Sequence, residues 1–352
     1  MSSFERLSRA LCVMALLAAQ ALLAQGPQPI LQGGVVVPLY PAGSKKLNQE
    51  RIDEPETLNM TNGVPGRIAS IVNIHNPTIE VHTVPSNLNT GTAVIVVAGG
   101  GHRTLNVGSE GADFVPFFYN YGVNTIILRN RLRSDGYEPF VDGVSDAMQA
   151  IRAVRTRAKE WNIDPNRIGI IGFSAGAELS SSADVEYVQF DRENQDPDDP
   201  YAKVSSRPDF VGIIYPGPTP FAPNRTAPEI PADPPPAFLA TAGSGDRVHA
   251  IWADEFFSAM LARGVPNLEM HVYGHGAHPG GQLPDGTRMS GGLTDRKGLP
   301  FGTWQFRMID WMRDLGFLGA PGVETRAARD VAEFVRNPPP PPGQRNSPRP
   351  AR

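Results

Sequence analysis

Cysteine is almost missing from this 352-residue chain, which has one, Cys12. A single thiol closes no intrachain disulfide, and a metal site built from several cysteines is excluded. An excess of positive charge is missing too: 32 Lys and Arg face 36 Asp and Glu, for a formal charge of −4. With no basic stripe interleaved with aromatic residues, the composition argues against nucleic acid as a partner. Proline and glycine are plentiful, at 35 and 36 residues, yet they stay below the roughly 25–30% that marks low-complexity chains. Hydrophobic residues at 40% and charged residues at 19% are enough for one sizeable core. No internal repeat is present.

The two ends differ from the middle. Arg6 and Arg9 precede the apolar run from Leu11 to Ala24, and Ala19-Gln20-Ala21 places small residues where a signal peptidase reads them. The run is shorter than the ~20 residues needed to cross a bilayer. Residues 1–21 therefore read as a secretory signal peptide, which implies a secreted or periplasmic protein with no membrane contact after cleavage. Residues 22–66 are rich in Gly, Pro and polar residues and read as an extended leader. Residues 337–352 hold Asn337-Pro-Pro-Pro-Pro-Pro-Gly343 and Ser347-Pro-Arg-Pro, where proline removes the donors that helix and sheet need, so a disordered tail is expected.

Between these ends, short β-branched runs alternate with longer stretches of helical period. The strand candidates are 94–97, 125–128, 168–171, 211–215, 237–240 and 268–272. Most are wholly apolar, as strands covered on both faces require. Helix candidates are 114–121, 144–161, 175–184, 251–263 and 304–315; in the second, Met148, Ile151, Val154 and Ala158 form a stripe. This alternation predicts an α/β protein with a mostly parallel, doubly wound sheet in one domain over residues 67–336. Ile71–Ile74 and Thr78–Thr83, on either side of Asn76-Pro77, predict an antiparallel N-terminal edge hairpin. The intervals 187–207 and 219–235 are expected as loops over a pocket.

One motif sits where chemistry would need it. Gly172-Phe173-Ser174-Ala175-Gly176 follows the most apolar strand and precedes a helix. A serine on such a turn stands out from the carboxyl edge of the sheet, where the helix start directs free N–H groups at it. Ser174 is the candidate nucleophile. A serine needs a base and donors for an oxyanion, and Ala98-Gly99-Gly100-Gly101-His102 ends an earlier strand with bare backbone N–H groups. Gly100, Gly101 and Ala175 are assigned to the oxyanion hole. A phosphate-binding reading of this turn lacks the Gly-x-Gly-x-x-Gly spacing and the lysine.

Asp246, after the strand at 237–240, is either the orienting acid or a cap for the helix that follows. The segment His271-Val-Tyr-Gly-His275-Gly-Ala-His278-Pro-Gly-Gly supplies three possible bases. The same histidines raise a metal site, but glycine and proline make the segment a loop and no acidic residue within it completes a ligand set. No metal and no cofactor are expected.

With serine, acid, histidine and glycine turn in this order, the chain resembles the α/β-hydrolase superfamily, and within it the secreted acetyl xylan esterase and feruloyl esterase-like branch. The resemblance runs from about Val64 to Phe317. It is carried by Arg167-Ile-Gly-Ile-Ile-Gly-Phe-Ser-Ala-Gly176, preceded by Trp161-Asn-Ile-Asp-Pro165, and by Glu269-Met-His-Val-Tyr-Gly-His-Gly-Ala-His278. It implies an α/β-hydrolase catalytic domain with His278 as base, His275 as second choice, and Asp246 as acid. Two departures bear on substrate fit. Ala98 and His102 stand where the branch often has proline and an aromatic residue, which makes His102 a candidate substrate contact, and Pro279-Gly280-Gly281 replaces the usual Gly-Phe.

The expected function is a serine esterase for short acyl esters, with acylated carbohydrate as the substrate the resemblance implies. An exopeptidase using the same triad and a non-catalytic carbohydrate-binding protein on a hydrolase scaffold are the rivals.

Overall fold

The computed structural model describes residues 27–340, apart from 284, 285, 287, 290 and 295–299. The expected signal peptide and most of the expected proline-rich tail lie outside the described residues. Eight strands form one sheet, in the order β1 (Val35–Pro38), β4 (Thr78–His82), β6 (Asn124–Arg129), β5 (Ala93–Val97), β7 (Ile168–Phe173), β8 (Phe210–Ile214), β9 (Ala237–Ala242) and β10 (Glu269–Tyr273). From β6 to β10 every pairing is parallel, whereas β1–β4 and β4–β6 are antiparallel.

All residues of β5 to β9 are buried, which is why the sequence there is mostly apolar, with Asn124, Thr125 and Arg129 at the ends of β6 and Thr241 in β9 as the polar exceptions. Alternate side chains serve two cores. Ile95, Ile170, Val211 and Leu239 pack beneath α2 (Val144–Thr156), α3 (Ala175–Val185) and α5 (Arg247–Arg263). Val96, Ile171, Phe210 and Phe238 pack beneath α1 (Phe114–Tyr119), α6 (Trp304–Asp314) and α7 (Arg326–Arg336).

The antiparallel edge exists, but its pairing differs from the expectation. Thr78–His82 pairs with Val35–Pro38 from the supposed leader, while Ile68–Val72 (β3) pairs with Thr57–Met60 (β2) in a separate two-stranded sheet. Asn73 takes φ +63, which turns the chain away, and Ile71 pairs instead with Leu105 beyond the glycine turn. The edge is anchored by the buried carboxylate of Glu80. It accepts the N–H groups of Ile30 (2.5 Å) and Leu31 (3.0 Å) and the Arg129 guanidinium (2.7 Å).

The interval 187–207 is also corrected. It begins with a helix, α4 (Tyr187–Glu193), tied to α2 through Arg152 and Asp191 (2.9 Å). Because α3 leaves the carboxyl edge and β8 re-enters from the amino edge, this interval sits at the end of the sheet away from Ser174.

Order in the sheet matters for the site. The chain passes from β5 outward to β6, then returns across β5 to β7, so the connections leave β5 and β7 in opposite directions. That creates a crevice at their carboxyl ends, the place where open α/β sheets bind ligands.

Candidate active site

Ser174 occupies that crevice. It takes φ +50 and ψ −118 between the last residue of β7 and the first of α3, a strained conformation for a residue with a Cβ. The approach of helix to strand explains the flanking glycine, since a Cβ on Gly176 would stand 2.1 Å from the Val97 carbonyl oxygen. Ser174 Oγ lies 2.9 Å from His278 Nε2. His278 Nδ1 lies 2.9 Å from Asp246 Oδ2. Three side chains, from the turn after β7, from the loop after β10 and from the start of α5, are thus joined in one line of hydrogen bonds.

Asp246 stands at the N-cap position of α5, yet its side chain accepts no helix N–H. It accepts from two imidazoles instead: Oδ2 from His278, and Oδ1 from Nδ1 of His249 in a very short hydrogen bond. Burial pushes the carboxyl up, but the hydrogen bonds and charges of His249 and His278 hold it below its ordinary value of 3.8. A carboxylate only accepts, so each histidine carries a proton on Nδ1, and it is the neutral form of His278 whose Nε2 lone pair faces the serine.

The glycine turn abuts the nucleophile: a Cβ on Gly99 would lie 2.9 Å from the Ser174 Cβ. Gly100 takes φ +136 and Gly101 φ +64. Among the described residues the backbone N–H groups of Gly100, Gly101 and Ala175 meet no acceptor. The turn is held from behind, where Gly99 N–H donates to Glu110 Oε2 (2.8 Å) and Tyr215 O–H donates to Glu110 Oε1 (2.9 Å). Tyr215 Oη in turn accepts the Gly292 N–H (3.0 Å). Glu110 is 1% exposed. Burial pushes its carboxyl up to about 7, against the opposing hydrogen bonds of Tyr215 and Gly99.

His102 is buried, with Nε2 3.1 Å from Glu178 Oε2 on α3 and its ring edge-on to Phe140. It therefore ties the glycine turn to the helix that follows the serine. His271 and His275 do not join the site. His271 bonds Glu269 (2.7 Å) and lies against Phe238, and His275 is exposed. Among the described residues one trio, Asp246, His249 and His278, brings possible metal-ligand atoms within 4.8 Å of one another, but both imidazole Nδ1 atoms there are engaged by the carboxylate.

Sequence reasoning missed His249, Glu110 and Tyr215. His249 left a local trace, since a residue three positions after an N-cap faces it across the first helical turn. Glu110 and Tyr215 left none.

Comparison with known proteins agrees with the fold. A solved acetyl ester-xyloside bifunctional hydrolase from Caldicellulosiruptor lactoaceticus superposes with a TM-score of 0.60 at 26% identity, over 84% of this chain and 100% of that one. An esterase from Thermogutta terrifontis superposes with a TM-score of 0.56 at 19% identity, over 70% and 92% of the two chains. The chain is an α/β-hydrolase. Its residues 80–215, from β4 through the glycine turn and the serine elbow, match the family described as BD-FAE. Similar in sequence are an acetylxylan esterase of Xylanibacter ruminicola, 40% identical over 93 residues (26% of this chain, 18% of that protein), and an endo-1,4-beta-xylanase B of Butyrivibrio fibrisolvens, 32% identical over 124 residues (35% and 19%). The chain spans about a fifth of the length of these two relatives.

Proposed function

We propose that this chain is a serine carboxylic-ester hydrolase for short acyl esters, with acetyl esters of plant polysaccharide as the natural substrate class. The observation that carries the reading is the unbroken line Ser174 Oγ, His278 Nε2, His278 Nδ1, Asp246 Oδ2, with 2.9 Å at both hydrogen bonds, beside a turn of unpaired N–H groups. Proton and nucleophile are already in contact there, and charge developing on a carbonyl oxygen would meet donors.

His278 takes the Ser174 proton as Oγ bonds to the ester carbonyl carbon, and the Asp246 carboxylate steadies the resulting imidazolium. The N–H groups of Gly100, Gly101 and Ala175 hold the tetrahedral oxyanion. His278 then protonates the departing alcohol as the carbon–oxygen bond breaks. Water, deprotonated by the same histidine, cleaves the acyl-enzyme and restores the serine. Every step uses side chains and backbone of this chain, and the buried His102 holds the glycine turn to α3 through Glu178.

The carbohydrate part is supported by the acetylxylan esterase and the acetyl ester-xyloside hydrolase to which the chain is similar. Export is supported by the Arg6, Arg9 and Leu11–Ala24 pattern, and among the described residues no helix is long and apolar enough to cross a membrane. We assign residues 35–336 as the catalytic domain, because β1 and β2 from the expected leader pair with its strands.

The test is turnover of p-nitrophenyl acetate, p-nitrophenyl butyrate and an aminoacyl anilide by the wild type and Ser174→Ala. Ester cleavage abolished by Ser174→Ala is expected. Anilide cleavage without ester cleavage would move the assignment to a peptidase, and no Ser174-dependent turnover would leave a binding protein on a hydrolase scaffold.

A further inference from the structure

His249 has no place in the reaction just described, yet it touches two of its three side chains. Its Nδ1 holds Asp246 Oδ1, and its ring stacks on His278 with centroids 3.7 Å apart and planes 13° from parallel. Behind it the Trp252 ring stands edge-on at 5.2 Å. On another side of His278, Tyr215 stands edge-on at 5.4 Å. The base is thus held between an imidazole and a phenol ring.

Both contacts answer a mechanical need. His278 lies on a loop outside helix and strand, in the run Gly276-Ala-His278-Pro-Gly-Gly281, so its rotamer is set only by what it touches. Asp246 does not cap its own helix, and the terminal torsion of an aspartate is broad. A carboxylate held by His278 alone would be free to turn about that torsion. With Oδ1 pinned by His249, Oδ2 has one orientation left, towards His278. A residue three positions after Asp246, on the first turn of a helix that buries Ala253, Phe256 and Met260, is rigid enough to do this.

We propose that His249 is a positioning residue of the triad, fixing the Asp246 carboxylate through its Nδ1–H and the His278 ring through its face. The proposal rests on the serine-hydrolase reading above. It predicts that removal of His249 lowers the rate of acyl transfer while leaving substrate binding in place, because His249 contacts the acid and the base and carries neither the nucleophile nor an oxyanion donor.

The experiment uses the full chain with His249→Phe, which keeps a ring and loses the donor, and His249→Gln, which keeps a donor and loses the ring. Each is made in the wild type and in Asp246→Asn. The readouts are kcat and KM for p-nitrophenyl acetate and the rate constant for Ser174 labelling by a fluorophosphonate. We expect His249→Phe to lower kcat and the labelling rate together by about 10- to 100-fold with KM within about twofold, the scale of a small misplacement of reacting groups. His249→Gln should recover part of that loss. In the Asp246→Asn background the same change should cost less than about threefold, since residues that act through one another are not additive.

Wild-type rates in both single variants, or a His249→Phe loss undiminished in Asp246→Asn, would overturn the proposal. Failure of the hydrolase reading looks different: wild-type protein would show no Ser174-dependent turnover. The labelling rates would then still decide whether His249 governs the reactivity of Ser174, and absence of labelling in the wild type would overturn both. Should the Phe variant fail to fold, the Gln variant and its Asp246→Asn partner carry the same comparison.

Discussion

Replacing Glu110 with glutamine should remove a pH dependence of stability that the wild type cannot avoid. The carboxyl is 1% exposed, and among the described residues its hydrogen bonds come from the O–H of Tyr215 and the N–H of Gly99. Burial outweighs both and moves it from an ordinary 4.5 to about 7. A raised carboxyl stabilises the fold while it is protonated, so this contribution is complete below the unfolded value. It is lost as pH rises from about 4.5 to about 7, where the unfolded chain has released the proton and the native chain still holds it. At 1.36 kcal/mol per pH step the loss comes to about 3 kcal/mol, a sizeable part of the ~5–15 kcal/mol that holds an ordinary domain together.

Glutamine keeps a carbonyl oxygen for the Gly99 N–H and cannot ionise. Urea unfolding of wild type and Glu110→Gln at several pH values from 4.5 to 8 isolates this group, because all other titrations cancel in the difference. The variant should gain about 3 kcal/mol on the wild type across that window. A difference that stays flat with pH would refute the argument, since it would mean that the ionised carboxylate is solvated in place.

Gly100→Ala should disable the oxyanion turn. At φ +136 the new Cβ would stand 2.1 Å from the Thr104 carbonyl oxygen, so the turn must move, and kcat for p-nitrophenyl acetate should fall on the order of 10²-fold as a donor is lost; unchanged kcat would remove Gly100 from the assignment. Arg129→Met leaves the Glu80 carboxylate buried without its guanidinium and should cost about 3–5 kcal/mol by urea unfolding, with Glu80→Gln in the same chain recovering part of it.

The five parallel strands β5 to β9 were legible because burial on both faces leaves a local mark. Val94–Val97 and Ile168–Ile171 contain no polar residue, whichever strands they neighbour. The serine elbow was legible because Gly172 leaves room for Gly176 and Ala177 within one turn, although Gly176 leaves room for Val97 on the neighbouring strand β5. Edge elements were not. Val35–Pro38 is a strand because Thr78–His82 offers it an edge, and Ile71 pairs with Leu58 and bridges to Leu105, both outside the expected hairpin. Helix α7 was overlooked although Ala327, Val331 and Phe334 repeat at helical spacing; nearness to the proline-rich end hid it.

Local sequence by itself determined the layered α/β fold, the turn that carries the serine and the existence of the glycine turn, since each depends on neighbours close along the chain. Local sequence left three histidines open and the family resemblance implied His278; the tertiary structure brings His278 to Ser174 across 104 positions and leaves His275 exposed. It likewise decided that Asp246 is shared by two histidines and that a buried Glu110 braces the turn. Those meetings depend on the order in which strands pack and on how the loops beyond them come together, and no short stretch of sequence encodes a distance between segments that are joined only by the core.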